Sequence, residues 1–245
     1  METLATNVCV FCGSSQSPLT AGHAWPAWIR KRFELAGHAA LQQRMKDVCE
    51  ACNSSWMSRL EQSVVPILEA QMLNADPRQW ALGDQRTLSV WAVKTTMVLE
   101  LAAPGEGGLF FTDNERWLFM RMLEPPSNDI KVWAAASLGD PPVHYSATRI
   151  PLRHHAAGSH IGDALVATIS AGRVAFQVVA RRFFEPRRDI DDVVFPPEAT
   201  EWQGATVLLW PVSESPRQWP PRVTLDAARL EAFANRWNEQ MNAKG

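Results

Sequence analysis

A strong net charge is missing from this chain. Its 24 lysines and arginines against 26 aspartates and glutamates leave −2 over 245 residues. No global basic field is therefore available to collect a polyanion, and a nucleic-acid partner has to be drawn by a local patch or a bound metal ion. Long apolar runs are missing too: no window of the sequence reaches the roughly 18 residues that a membrane-spanning helix needs. Met1 to Val8 has no basic start leading into an apolar core, so no signal peptide is visible and a reduced, cytoplasmic setting is expected. Internal repeats and low-complexity segments are absent. Tyrosine is nearly so, one residue against eleven tryptophans; most of these indoles are expected in the core or at interfaces, with a minority left to stack on bases. What is there, 46% hydrophobic and 20% charged residues, is the composition of a soluble globular protein of one large or two small domains.

Cysteine is also scarce, but its four copies are ordered. Cys9 with Cys12 and Cys49 with Cys52 form two Cys-x-x-Cys pairs. Each such turn places two thiolates where they can share a tetrahedral ion, and two turns complete a four-sulfur zinc site. A reducing compartment disfavours disulfides. A thioredoxin-type redox site calls for one pair beside a βαβ pattern, which this sequence does not show. A structural zinc held by all four cysteines is the expectation, within an N-terminal module of residues 1–62, a size at which a core alone is marginal and a metal commonly makes up the difference.

Along the chain, Leu19 to Trp25 reads as a short strand ending at His23. Ala27 to Phe33 reads as one or two helical turns with Arg30, Lys31 and Arg32 in succession, either a solvated face or a set of phosphate contacts. Met45 to Val48 is a second short strand, and Asn53 opens a helix on which Trp56, Leu60, Val64, Ile67 and Leu68 recur at helical spacing. Pro66 lies inside that pattern and is expected to kink or split the helix. A helical middle section, 63–126, contains one helix from Asp84 to Ala103 and another capped by Thr112 with Glu115. Residues 127–245 form an α+β domain with strands at Ile130–Leu138, Val143–Leu152, Ala164–Ser170, Arg173–Phe183 and Ala205–Trp210. Ala171-Gly172 makes the clearest hairpin. A terminal helix from Leu225 to Met241, capped by Thr224, should pack on the sheet through Leu230, Phe233 and Trp237. The Pro-rich stretches 186–197 and 211–221 read as loops. The fold class is α+β, with a mainly antiparallel C-terminal sheet.

Between the cysteine pairs lies Gly22-His23-Ala24-Trp25-Pro26, and Asn53 follows the last cysteine directly. The order Cys-x-x-Cys, His-x-x-Pro, Cys-x-x-Cys-Asn resembles the zinc-stapled branch of the HNH endonuclease family. The string from Cys52 to Glu61 (Cys-Asn-x-x-Trp-Met-x-x-Leu-Glu), with Trp91, Lys94 and Glu100 further on, resembles uncharacterised HNH-containing proteins of bacteria and their phages. The motif covers the first quarter of the chain. The resemblance implies an HNH-like ββα-metal fold for residues 1–62 and hydrolysis of DNA phosphodiester bonds. His23 would be the general base and Asn53 a ligand to a catalytic divalent metal such as Mg2+. The zinc would fix the knuckle before the first strand to the junction of the second strand and the helix. Such chemistry needs a base to deprotonate water in line with the leaving oxygen while a cation holds the phosphate.

Two positions depart from the family pattern. Gly22 stands where the family carries an acid or a second His that ligates the metal, and no Asn lies between Leu41 and Val48, where Gln42 and Gln43 are the nearest amides. A ligand set short of a carboxylate binds metal less well; His38, Asp47 and Glu50 are candidate substitutes. Plainer readings stand beside these. Asn53 can simply cap its helix, Trp56 fits a core position, and His144, His154, His155 and His160, which suggest a second metal site, fall on a strand and its adjoining loop. The alternative function is a nucleic-acid or protein-binding module that keeps the HNH scaffold without its chemistry, which Gly22 favours.

Overall fold

The computed structural model describes residues 8–33, 43–104, 108–127, 129–153, 159–184 and 202–242, the last five as backbone alone. His38, Gln42, His154, His155 and the stretch 186–197 lie outside the described residues. Strands β1 (Leu19–His23) and β2 (Arg44–Cys49) pair antiparallel, Leu19 opposite Cys49 and His23 opposite Arg44, with an irregularity between Thr20 and Gly22. A short helix α1 (Ala27–Arg32) follows Pro26, whose fixed φ suits a helix start.

The helix after β2 does not begin at Asn53. It begins as α2 (Glu50–Cys52), capped by Cys49, whose sulfur accepts the Cys52 amide at 3.4 Å. Asn53–Met57 then forms a π-helical turn, and α3 (Ser58–Asn74) continues the run. Asn53 is therefore a residue of the first turns and not the cap. Pro66 does not split α3. Both Pro66 and Gln62, whose carbonyl loses its donor to the ring, lie on the exposed face, where the unpaired group is open to solvent.

Helix α4 (Leu82–Ala102) is buried on nearly every side, the pattern of a central core helix. One continuous cluster of buried side chains runs from Cys9, Phe11 and Trp56 through Trp91 and Val98 to Phe176 and Trp219. Two short strands, β3 (Arg78–Trp80) and β9 (Arg217–Trp219), pair antiparallel before α4 and stack Trp80 on Trp219 at 4.3 Å. Thus 211–221 is not entirely loop.

The C-terminal sheet contains β4 (Ile130–Ser137), β5 (Val143–Arg153), β6 (His160–Ala171), β7 (Val174–Phe183), β8 (Thr206–Trp210) and β10 (Thr224–Leu225). Its order is β10-β4-β7-β6-β5, with β8 also on β4; every pairing is antiparallel except β10 with β4. Alternation in β4 divides the faces: Val132, Ala134 and Ala136 join the cluster around α4, whereas Trp133 and Ala135 meet the terminal helix α6 (Ala227–Asn242) through Trp237 and Leu230 with Phe233. Both faces are covered, which is why these strands read as near-continuous apolar runs. The cap of α6 is Asp226, accepting the Arg229 amide at 2.8 Å, and not Thr224, which pairs with β4.

The β6–β7 hairpin also anchors the N-terminal half. Gly172 turns it at φ +54°, and a Cβ there would lie 2.2 Å from the Met72 carbonyl, which accepts the Arg173 amide at 2.8 Å. Only glycine allows this approach of the α3 end to the turn.

A buried ion pair ties α4 to α5 (Asp113–Met122). Glu100 accepts the amides of Phe110 and Phe111 and the Arg116 guanidinium at 3.0 Å, and Arg116 donates to the Phe111 carbonyl. Burial raises the Glu100 pKa, against the pull of those amides and of Arg116. Glu100→Ala should destabilise the protein by about 3–5 kcal/mol, because it leaves a buried guanidinium and two amides without their acceptor; a urea titration with an unchanged midpoint would refute this. No helix among the described residues is long and apolar enough to cross a membrane.

Candidate metal cluster and active-site cleft

The chain before β1 turns as a knuckle in which the Gly13 amide returns to the Cys9 carbonyl at 2.8 Å, with Gly13 at φ +69°. The Val10 amide bonds to the Asp47 carbonyl at 3.0 Å, which lays the knuckle against β2. This brings Cys9, Cys12, Cys49 and Cys52 together, all four sulfurs within 4.8 Å of one another. Three are buried and none is in a disulfide. Cys12 and Cys49 sulfurs, one from each pair, are 3.7 Å apart, against about 3.8 Å across a tetrahedron of 2.3 Å zinc–sulfur bonds. A hydrogen bond from the Cys52 thiol, and then the amides of Cys49, Cys12 and Phe11, lower the Cys9 pKa, against the effect of burial. The cluster can hold a metal ion, and its donors and spacing are consistent with structural zinc. Among the described residues it is the one group of three or more His, Cys, Asp or Glu placed to share an ion. His144 instead meets the Ser146 hydroxyl at 3.1 Å and His160 meets Asp163 at 3.0 Å.

A cleft of about 550 Å³ opens between the end of β1, α1 and the helical run. Its walls include Gly22, His23, Arg30, Asn53, Glu61 and Lys94, over an apolar floor with Trp25, Met45 and Met57. His23 and Asn53 thus meet one space. The His23 pKa is lowered by burial first, then by Arg30 and Arg44; the imidazole is neutral at pH 7, the form a general base requires. Asn53 begins the π-helical turn, a distortion that recurs at functional sites.

Glu61 was legible only inside the longer string of residues and is the acid that the cleft contains. Its carboxylate is engaged: Lys94 donates to Oε1, while the indoles of Trp28 at 2.7 Å and Trp91 at 2.9 Å donate to Oε2. Lys94, with its side chain 5% exposed, depends on that partner. Glu61→Ala should therefore cost about 3–5 kcal/mol in chemical denaturation. Glu69→Ala, which removes the more exposed ion pair with Arg32, should cost less than about 1 kcal/mol. Equal losses would refute the contrast.

Of the candidate substitutes for an acid at Gly22, Asp47 and Glu50 are not among the residues that line the cleft, and His38 lies outside the described residues. β2 runs from Arg44 beside His23 to Cys49 at the cluster, so Asp47 and Glu50 lie about 10 Å or more along it toward the sulfurs. A divalent cation favours anionic oxygen ligands, and the described lining offers the neutral Asn53 amide, two serine hydroxyls, Gln62 and a carboxylate already bonded by three donors. This donor set does not fit a catalytic Mg2+. Arg30 is the further residue that sequence reading did not single out from its basic run. No family model, curated protein or solved structure matches the chain.

Proposed function

We propose that the chain is an HNH-type endonuclease of DNA phosphodiester bonds, with His23 as general base, Asn53 facing it from the helix, and a structural zinc on Cys9, Cys12, Cys49 and Cys52. The observation that carries this reading is the meeting of His23, from the end of the first strand, and Asn53, from the helix after the second, in one cleft beside the cysteine cluster. In the reaction, the water oxygen bonds to phosphorus as its proton passes to the neutral His23 imidazole. The bond from phosphorus to the leaving oxygen breaks, and that oxygen takes a proton from solvent. Asn53 can hold the water or a phosphate oxygen by hydrogen bonding. No step is assigned to a divalent cation, because the described donor set does not suit one.

That same lack of a free carboxylate favours a second reading, a nucleic-acid-binding module on the same scaffold with weakened or lost chemistry. A supercoiled-plasmid nicking assay with zinc-loaded protein, run without added divalent cation and with Mg2+, Mn2+ or Ni2+, separates the two. Nicking by wild type that is absent from His23→Ala supports the nuclease; no nicking under any condition leaves the binding module.

A further inference from the structure

The charges around His23 suit an anion. Arg30 lines the cleft, its Nε is buried without a hydrogen-bond partner, and it makes no ion pair with any described residue, whereas Arg32 on the same helix is paired with Glu69. Arg44 is exposed and stands directly opposite His23 in the β1–β2 ladder, where opposed side chains project to the same side. It too has no ion-pair partner among the described residues. Of the other charges facing the cleft, Glu61 and Lys94 neutralise each other. Among the described residues, two guanidinium groups without an ion-pair partner therefore flank one imidazole, and no carboxylate other than the engaged Glu61 lines the cleft.

We propose that Arg30, with Arg44 at the rim, grips a backbone phosphate of single-stranded nucleic acid directly beside His23, without a divalent cation. The choice of nucleic acid rests on the proposed function, but the site does not require that hydrolysis survives. A guanidinium offers a planar fork of donors matched to phosphate oxygens and a charge that never titrates away near neutrality. Fixed in the cleft wall, it can carry the charge stabilisation that a carboxylate-held cation would supply. The apolar floor, including Trp25 and Met57, leaves room for a base to leave water beside the held phosphate.

The test is fluorescence anisotropy of a labelled thymidine octamer with the full-length, zinc-loaded protein, in buffer freed of other divalent cations, over a range of salt. Binding is expected without added metal. Arg30→Gln should weaken it about 10-fold or more and lower the salt slope by about one. Arg44→Gln should act in the same direction, and Lys31→Gln, on the exposed side of the same helix, should change affinity less than about twofold. Should Arg30→Gln lose its zinc or its fold, Arg30→Lys, which keeps the charge and loses the fork, is expected to bind several-fold more weakly. Binding only with Mg2+, Mn2+ or Ni2+, no binding at all, or an equal loss from Lys31→Gln overturns the proposal. Metal-free binding without nicking keeps this site and removes the nuclease; metal-dependent nicking with no metal-free binding does the reverse.

Discussion

Cys49→Ser is expected to unfold the N-terminal hairpin and the start of its helix while the C-terminal sheet persists. Cys49 ends β2 opposite Leu19, caps α2 through its sulfur, and lies 3.7 Å from the Cys12 sulfur across the cluster. A serine oxygen is a poor ligand for a soft tetrathiolate site, so the substitution removes the helix cap and one of the four candidate zinc ligands together. Structural zinc contributes roughly 10–16 kcal/mol of apparent binding energy, comparable with or larger than the roughly 5–15 kcal/mol that holds a whole domain. Phe11, Trp25, Ile29 and Val48 join the N-terminal module to the core around α4, but two short strands do not stand alone, so the metal is expected to supply much of what holds them in place. Zinc per chain should fall from one equivalent to well under half, and limited proteolysis should open the first 50 or so residues while sparing β4 to β7. A zinc-free protein with unchanged proteolysis and circular dichroism would refute this, as would a disulfide within either pair.

Local signals were readable where one residue's chemistry decides the outcome. Thr112 and Glu115 form the reciprocal cap that their spacing implies, with bonds of 3.2 Å and 2.7 Å. The Ala171-Gly172 turn joins β6 to β7 as the glycine requires. The misplacements occur where a distant partner decides. Thr224 and Asp226 are both good caps, but β10 draws Thr224 into the sheet beside Ala136 and leaves the helix start to Asp226. Asn53 reads as a helix opener because Asn caps well, yet the cluster recruits Cys49 both as a candidate ligand and as the cap. The π-helical turn that follows has no apolar period to reveal it. In the site, the family resemblance points to His23 and Asn53 together, and both line one cleft. The engagement of Glu61 was hidden, because its donors Trp28, Trp91 and Lys94 come from two other helices, and no local pattern couples them.

Gly22→Asp should have opposite effects on the two activities proposed for the cleft. Gly22 lines it, its backbone is not in the left-handed region, and an added Cβ would meet Met45 Cε at 3.7 Å and Thr20 Oγ1 at 3.8 Å, ordinary contact distances. The new carboxylate can therefore enter beside His23 without distorting β1. It would supply the free anionic oxygen that the described lining lacks, so cleavage dependent on added Mg2+ or Mn2+ should appear or rise. It would also share the cleft with Arg30, which has no ion-pair partner among the described residues, so metal-free octamer binding should weaken. His23→Ala should lower cleavage about 100-fold to 10,000-fold in either background, with zinc content and melting temperature unchanged, since a general base acts on the transition state and not on the fold. Asn53→Ala should reduce cleavage more than stability, because Cys49 and not Asn53 caps the helix. If wild type cleaves nothing with Mg2+, Mn2+ or Ni2+ and Gly22→Asp gains nothing, His23 has no base to be, and the cationic cleft is left as a binding surface. If Gly22→Asp cleaves where wild type does not, the scaffold already positions His23 and Asn53 for the reaction, and the absence of one carboxylate is what separates binding from hydrolysis.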